Sequence, residues 1–211
     1  KNLWNYQLAE KILKQFKKTP DLLFLENVPA IKKVDGGRIL KSFMKILSGL
    51  NYVFTEDVVD AKDYGVPQTR KRFVLIAVKK KLCSQEILLP LKTHGAGLNK
   101  YEAVKDTIRR YPYLKAGQRM HRIINHECAN LSLLNLKRLK AVPRNGGSRD
   151  SWPKHMRLRC HRNHNGHTDV YGRMKWNEPS PTLTCKCTSI SNGRFGHPTQ
   201  LRAISIREAA A

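Results

Sequence analysis

Between Trp4 and Lys17 apolar residues fall at Leu8, Ile12, Leu13 and Phe16, a spacing that predicts an amphipathic helix closed by Pro20. The pattern then changes. Leu22-Leu23-Phe24-Leu25 is an unbroken apolar run, which predicts a strand buried on both faces of a parallel sheet. Gly36-Gly37 opens a second helix that carries Ile39, Leu40, Phe43, Ile46 and Leu47 and stops near Gly49. Tyr52 to Val59 and Phe73 to Val78 read as a strand pair around the loop Ala61 to Arg72, where Gly65 and Pro67 mark turns. This alternation predicts an α/β fold. A doubly buried strand needs neighbours, and too few parallel-type strands follow to supply them.

Beyond Lys81 the periodicity weakens. Tyr101 to Arg110 and Leu131 to Leu139 predict two short helices. Pro143 to His167 is rich in Gly, Asn, Arg and His, which predicts a loop-built recognition surface rather than core. A short strand is expected around Pro179 to Thr184, and a helix begins at Ser205. No internal repeat is present.

Charge narrows the partners. The 211 residues hold 40 Lys and Arg against 16 Asp and Glu, a formal +24, while 40% hydrophobic content can still support a core. A phosphate backbone is the first partner such an excess fits, because neutralising it releases counterions. A membrane surface is the rival, but no run approaches the roughly 18 apolar residues of a spanning helix. The five cysteines are odd in number and irregularly spaced, which argues for a reducing compartment, hence the cytoplasm. Lys1 is not an initiator Met, and the last residues stop inside a helix-forming run, so a piece of a longer chain is expected.

The candidate chemistry starts where the apolar run ends, at Glu26-Asn27-Val28. Taken alone, that pair caps the turn after a strand, and Arg70 and Arg72 are solvated charge. Order changes the reading. Pro20 to Pro29 with its Glu-Asn-Val, then Asp63 to Phe73 with Gln68-Thr69-Arg70-Lys71-Arg72, resembles the middle blocks of the DNA cytosine-5 methyltransferases. Pro181-Thr182-Leu183-Thr184, Gly193 to Pro198 and Arg202 to Ala210 are similar to the block after that family's target-recognition region.

The resemblance implies a partial Rossmann-like methyltransferase sheet over residues 1–85, an irregular target-recognition domain over 86–178, and a return segment toward the catalytic domain over 179–211. It implies that Glu26 is the carboxyl serving ring nitrogen 3 of a flipped cytosine, and that Asn27 orders its loop. It also implies that Arg72 contacts oxygen 2, with Gln68 and Arg70 in support. By the same resemblance Thr182 lies beside the flipped base, with Thr184 near it, and Arg157, Arg159 and Arg162 face phosphates or guanine edges of double-stranded DNA. The chemistry explains these residue types. A thiolate adds at carbon 6, a carboxyl assists at nitrogen 3, a cation assists at the exocyclic oxygen, and carbon 5 then accepts the methyl of S-adenosylmethionine.

Two family features are missing from the sequence. None of the five cysteines follows a proline, so no nucleophile is assigned, and no glycine-rich loop offers a cofactor ligand. A chain predicted to bind DNA without transferring methyl groups alone follows, as do two rivals in which that inactivity is natural. These are a non-catalytic DNA-binding specificity subunit paired with a separate chain, and a decayed relative. A fourth reading keeps the chemistry on RNA, which the long 86–178 segment disfavours. Cys160, His161, His164, His167, Cys185 and Cys187 could in principle hold zinc, but their spacing fits no common finger, so no metal is expected.

Overall fold

The computed structural model describes residues 19–83, 85–161 and 168–211, together with Lys11, Leu13 and Gln15. Most of the helix expected over Trp4 to Lys17 lies outside these residues; the three described ones are helical and Leu13 is buried. The chain divides into two compact units. Unit 1 comprises residues 1–63 and 71–93, and unit 2 comprises 64–70 and 94–211.

Unit 1 is a three-stranded sheet with one principal helix. The strands are β1 (Leu22–Asn27), β2 (Tyr52–Asp60) and β3 (Lys71–Lys79), in the order β1-β3-β2, and both pairings are antiparallel. The antiparallel β1–β3 pairing corrects the expectation of a parallel one. Among the described strands β1 pairs with β3 alone, and its exposure alternates: Leu23 and Leu25 turn inward, while Leu22 and Phe24 are each 61% exposed. The near-continuous burial falls on β3, at Phe73, Val74, Leu75 and Ala77, which is the central one of the described strands.

Helix α1 (Arg38–Gly49) presents Leu40, Phe43 and Leu47 to the sheet at helical spacing, as predicted. Gly37 enters it at φ +83°, and a Cβ there would meet the Lys32 carbonyl at 3.0 Å, so glycine is required on both counts. Asn51, at φ +59°, turns the chain after the helix into β2. The core gathers Leu13, Ile31, Leu40, Phe43, Leu47, Tyr52, Phe73, Leu75 and Ala77. The Tyr52 hydroxyl donates to the Pro20 carbonyl, and Lys79 Nζ lies 4.1 Å above the Tyr52 ring.

Unit 2 has little regular structure: α2 (Val104–Ile108), α3 (Leu133–Ala141), α4 (Ile206–Ala209) and a few three-residue helical turns. The strand expected around Pro179 to Thr184 is reduced to one bridge, Ser180 to Gln68. Pro179 and Pro181 flank Ser180 and lack the N–H groups a ladder would use. The segment from Pro143 onward is not surface throughout. Trp152 is 3% exposed, donates to Arg138 O at 3.0 Å and meets Tyr171 edge-on at 5.1 Å. It belongs to a core cluster with Leu139, Val142, Tyr171, Ile190 and Ala203, and a second cluster joins Val104, Ile108, Met174, Phe195 and Ile204.

Buried arginines hold these loops together. Arg173, 1% exposed, donates to the carbonyls of Leu139, Val142, His197 and Gln200. Each carbonyl would otherwise be an unsatisfied acceptor in an interior with few ladders. Burial and the charge of Arg144 lower the Arg173 pKa to about 10, which still leaves it cationic at neutral pH. No described helix is long and apolar enough to cross a membrane.

Candidate functional site

Glu26 and Arg72 meet in unit 1. The antiparallel register sets Glu26 opposite Val74 and Asn27 opposite Phe73, which brings Arg72 to the carboxyl end of β1. Arg72 Nε lies 2.7 Å from Glu26 Oε1, and its Nη1 donates to the Lys71 carbonyl at 2.7 Å. The arginine side chain is 20% exposed and the carboxylate 46%, so the carboxylate remains open to an incoming group. Asn27 Oδ1 accepts from Val28 N at 2.8 Å, turning the chain out of the strand ahead of Pro29.

Gln68, Thr69 and Thr182 meet in unit 2. Thr69 N donates to Ser180 O at 2.8 Å, and Ser180 N donates to Pro67 O at 2.8 Å. The Thr182 hydroxyl donates to Thr69 O at 2.8 Å, and Leu183 N donates to Gln68 Oε1 at 3.3 Å. The Gln68 loop and the Pro181–Thr184 run, more than 100 positions apart, are thus stitched to each other. Arg70 is half-buried in the same loop, and Thr184 is exposed.

The remaining candidates are dispersed. Arg157 and Arg159 are exposed, with Arg157 Nη2 donating to Asp150 O at 3.3 Å, and Arg162 lies outside the described residues. Among the described residues no group of three or more His, Cys, Asp or Glu could hold a metal ion. Cys185 is exposed and Cys187 half-buried; His164 and His167 are outside the described residues.

One constellation was missed by reading the sequence. Arg202 and Glu208 form a bidentate pair at 2.6 and 2.7 Å with side chains 0% and 1% exposed, and Glu208 also accepts from Ser205 N at 2.8 Å. Burial pushes the Glu208 carboxyl up, but the Arg202 guanidinium and the Ser205 N–H outweigh it and hold the pKa below its usual 4.5. Beside it His197, 2% exposed, accepts from Thr199 N and Gln200 N, and burial with the nearby arginines lowers its pKa to about 3. The readable signal was Ser205-x-x-Glu208, a capping box at the start of α4.

Comparison with known proteins agrees with the class that this fold defines, an α/β protein. A crystal structure of an Escherichia coli prophage-encoded DNA modification methyltransferase superposes on 99% of this chain and 61% of its own, with TM-score 0.63 and 18% identity, a likeness of fold. The model of the C-5 cytosine-specific DNA methylase family matches residues 6–211, and the chain belongs to that family. Type II methylase M.HgiDII of Herpetosiphon aurantiacus is 37% identical over 90% of this chain and 52% of its own length. Type II methyltransferase M1.HphI of Haemophilus parahaemolyticus is 31% identical over 91% of this chain and 46% of its own. The chain therefore spans about half the length of these relatives.

Proposed function

We propose that this chain is the base-handling and DNA-recognising part of a DNA cytosine-5 methyltransferase acting on a cytosine turned out of duplex DNA. The observation that carries this reading is the Glu26–Arg72 pair at the end of β1, a partly exposed carboxylate beside a guanidinium, in a member of this family. The carboxyl of Glu26 serves ring nitrogen 3, and the Arg72 guanidinium turns from Glu26 to oxygen 2. Together they draw electron density from the ring, so that carbon 6 accepts a thiolate and carbon 5 gains nucleophilic character. S-adenosylmethionine supplies the activated methyl group in such chemistry. No residue among these is assigned to hold it, because the sequence offers no glycine-rich loop. The thiolate and cofactor pocket then come from outside these 211 residues, within a longer polypeptide or on a partner chain.

Thr182, Thr184, Arg157, Arg159 and Arg162 are proposed to meet DNA, and the net charge of +24 supports a phosphate partner. The Type II names of the relatives support a modification role beside a restriction enzyme. The test is transfer of a tritiated methyl group from S-adenosylmethionine to duplex DNA by the complete assembly. Glu26→Gln should lower turnover by about 100-fold or more, the scale of a lost acid-base group, while duplex affinity holds. Unchanged turnover removes Glu26 from this role.

A further inference from the structure

The turn that leads into the Gln68 loop is shaped by a histidine outside every motif considered above. Gly65 has φ +83°, and a Cβ on it would lie 2.9 Å from His94 Cε1, 3.4 Å from Nδ1 and 3.6 Å from Nε2. All three ring atoms are within reach of one backbone position, so the imidazole rests against bare glycine. Only glycine meets both demands, the left-handed backbone and the close approach.

His94 is itself held. It bridges Asn99, Gly95 N donates to Asn99 O at 2.9 Å, and Leu98 N donates to Gly95 O at 3.0 Å. Gly95 and Gly97 at φ +136° and +77° let this turn close tightly. Just upstream, in unit 1, Thr93 N donates to Asp63 O at 2.9 Å and Lys92 Nζ meets the Asp63 carboxylate at 2.8 Å. Within unit 2, His94 therefore rests on Gly65, which directly precedes Val66-Pro67-Gln68-Thr69-Arg70.

That loop needs such a grip. Among the described residues its one ladder contact is the Gln68–Ser180 bridge, and Val66 is 43% exposed. Its far end is tied to Ser180, Thr182 and Leu183; its near end turns on Gly65.

We propose that His94 is a positioning residue. Its ring, packed on Gly65, sets the path of the loop so that Gln68 and Thr69 engage Ser180, Thr182 and Leu183 and the loop is ordered toward DNA. The DNA half of this statement rests on the function proposed above; the loop half does not.

The experiment compares the full chain with His94→Ala, His94→Gln, Gly65→Ala and the double Gly65→Ala/His94→Ala. Amide exchange at Thr69 and Ser180, the thermal midpoint, and affinity for a short DNA duplex are measured. His94→Ala is expected to speed exchange at Thr69 and Ser180 about tenfold while distant core amides keep their protection. Duplex affinity should fall roughly three- to tenfold, and His94→Gln, which keeps a planar polar group, should recover most of it. Gly65→Ala should show the same defect, and the double variant should be less impaired than Gly65→Ala because the Cβ clash is gone. Wild-type exchange in His94→Ala overturns the positioning role. Faster exchange with unchanged duplex affinity overturns its bearing on DNA. A parent chain with no duplex affinity counts against the proposed function, while the exchange result still decides the loop.

Discussion

The two units solve the same backbone problem by opposite means. Unit 1 satisfies its amides through two antiparallel ladders and one helix, and its interior is almost wholly apolar. Among its described residues unit 2 has three short α-helices, a few helical turns and isolated bridges, so side chains do the work of ladders: Arg138, Arg173, Arg194 and Arg202 all donate to main-chain carbonyls. Unit 2 carries more than three Lys or Arg for each Asp or Glu, unit 1 fewer than two. The contrast teaches that part of this positive charge is internal scaffolding. Arg173 and Arg202 cannot reach DNA at 1% and 0% exposure, so charge alone overstates the binding surface.

The largest expected effects test that contrast directly. Arg202→Met strands the buried Glu208 carboxylate and should cost roughly 3–5 kcal/mol, the scale of breaking a buried pair. Replacing both partners with apolar residues should restore much of the loss. In unit 1, Leu47→Ala, at a residue 0% exposed, should cost about 2–5 kcal/mol through lost burial and a cavity. Urea unfolding with residue-level exchange checks both. Protection should be lost first in unit 2 for the arginine variant and in unit 1 for the leucine variant. If either change unfolds both units together, the chain has one cooperative unit.

Acid should also discriminate. Neutral His197 has a folded pKa near 3 against 6.5 for the free side chain, so below 6.5 the unfolded chain takes up a proton that the folded one refuses. Its contribution is complete above pH 6.5 and is lost as pH falls toward 3. Glu208, held low, contributes above about 4.5 and loses this as pH falls through its lowered folded value. Unit 2 should therefore weaken from pH 7 to pH 4, and His197→Gln should flatten the upper part of that slope. A slope that His197→Gln leaves unchanged places the acid sensitivity elsewhere.

The sequence disclosed these units unevenly, for physical reasons. The α1 stripe and the β2–β3 pair were legible because periodicity reports burial against a regular partner. The direction of β1 was not: a linear apolar run carries no sign of its partner's direction, and only the register with β3 shows the pairing to be antiparallel. In unit 2, Trp152 and Arg173 were unreadable because irregular backbone has no period to violate. Glu26 and Arg72 were flagged by motif order, and the β1–β3 register brings them within 2.7 Å; the Gln68 loop and the Thr182 run are likewise joined, by the Gln68–Ser180 bridge and the Thr182 hydroxyl on the Thr69 carbonyl. His94 carried no signal, since its importance lies in the missing side chain of Gly65.

The smallest expected effect on stability sharpens the comparison most. The Glu26–Arg72 pair joins a 46%-exposed carboxylate to a partly buried guanidinium, a setting in which ion pairs contribute about 0–1 kcal/mol. Glu26→Gln should therefore leave the urea midpoint of the chain almost unmoved, whereas Arg202→Met should shift it far. Arg72→Ala should likewise weaken methyl transfer by the complete assembly more than non-specific duplex affinity. The opposite order would make Arg72 a phosphate contact. A pair that costs little to break has no large structural reason to be joined, which is the pattern of groups kept for a ligand. If Glu26→Gln instead destabilises the chain as much as Arg202→Met does, the pair is a brace for the β1–β3 edge, and the proposed base-handling role loses its main support.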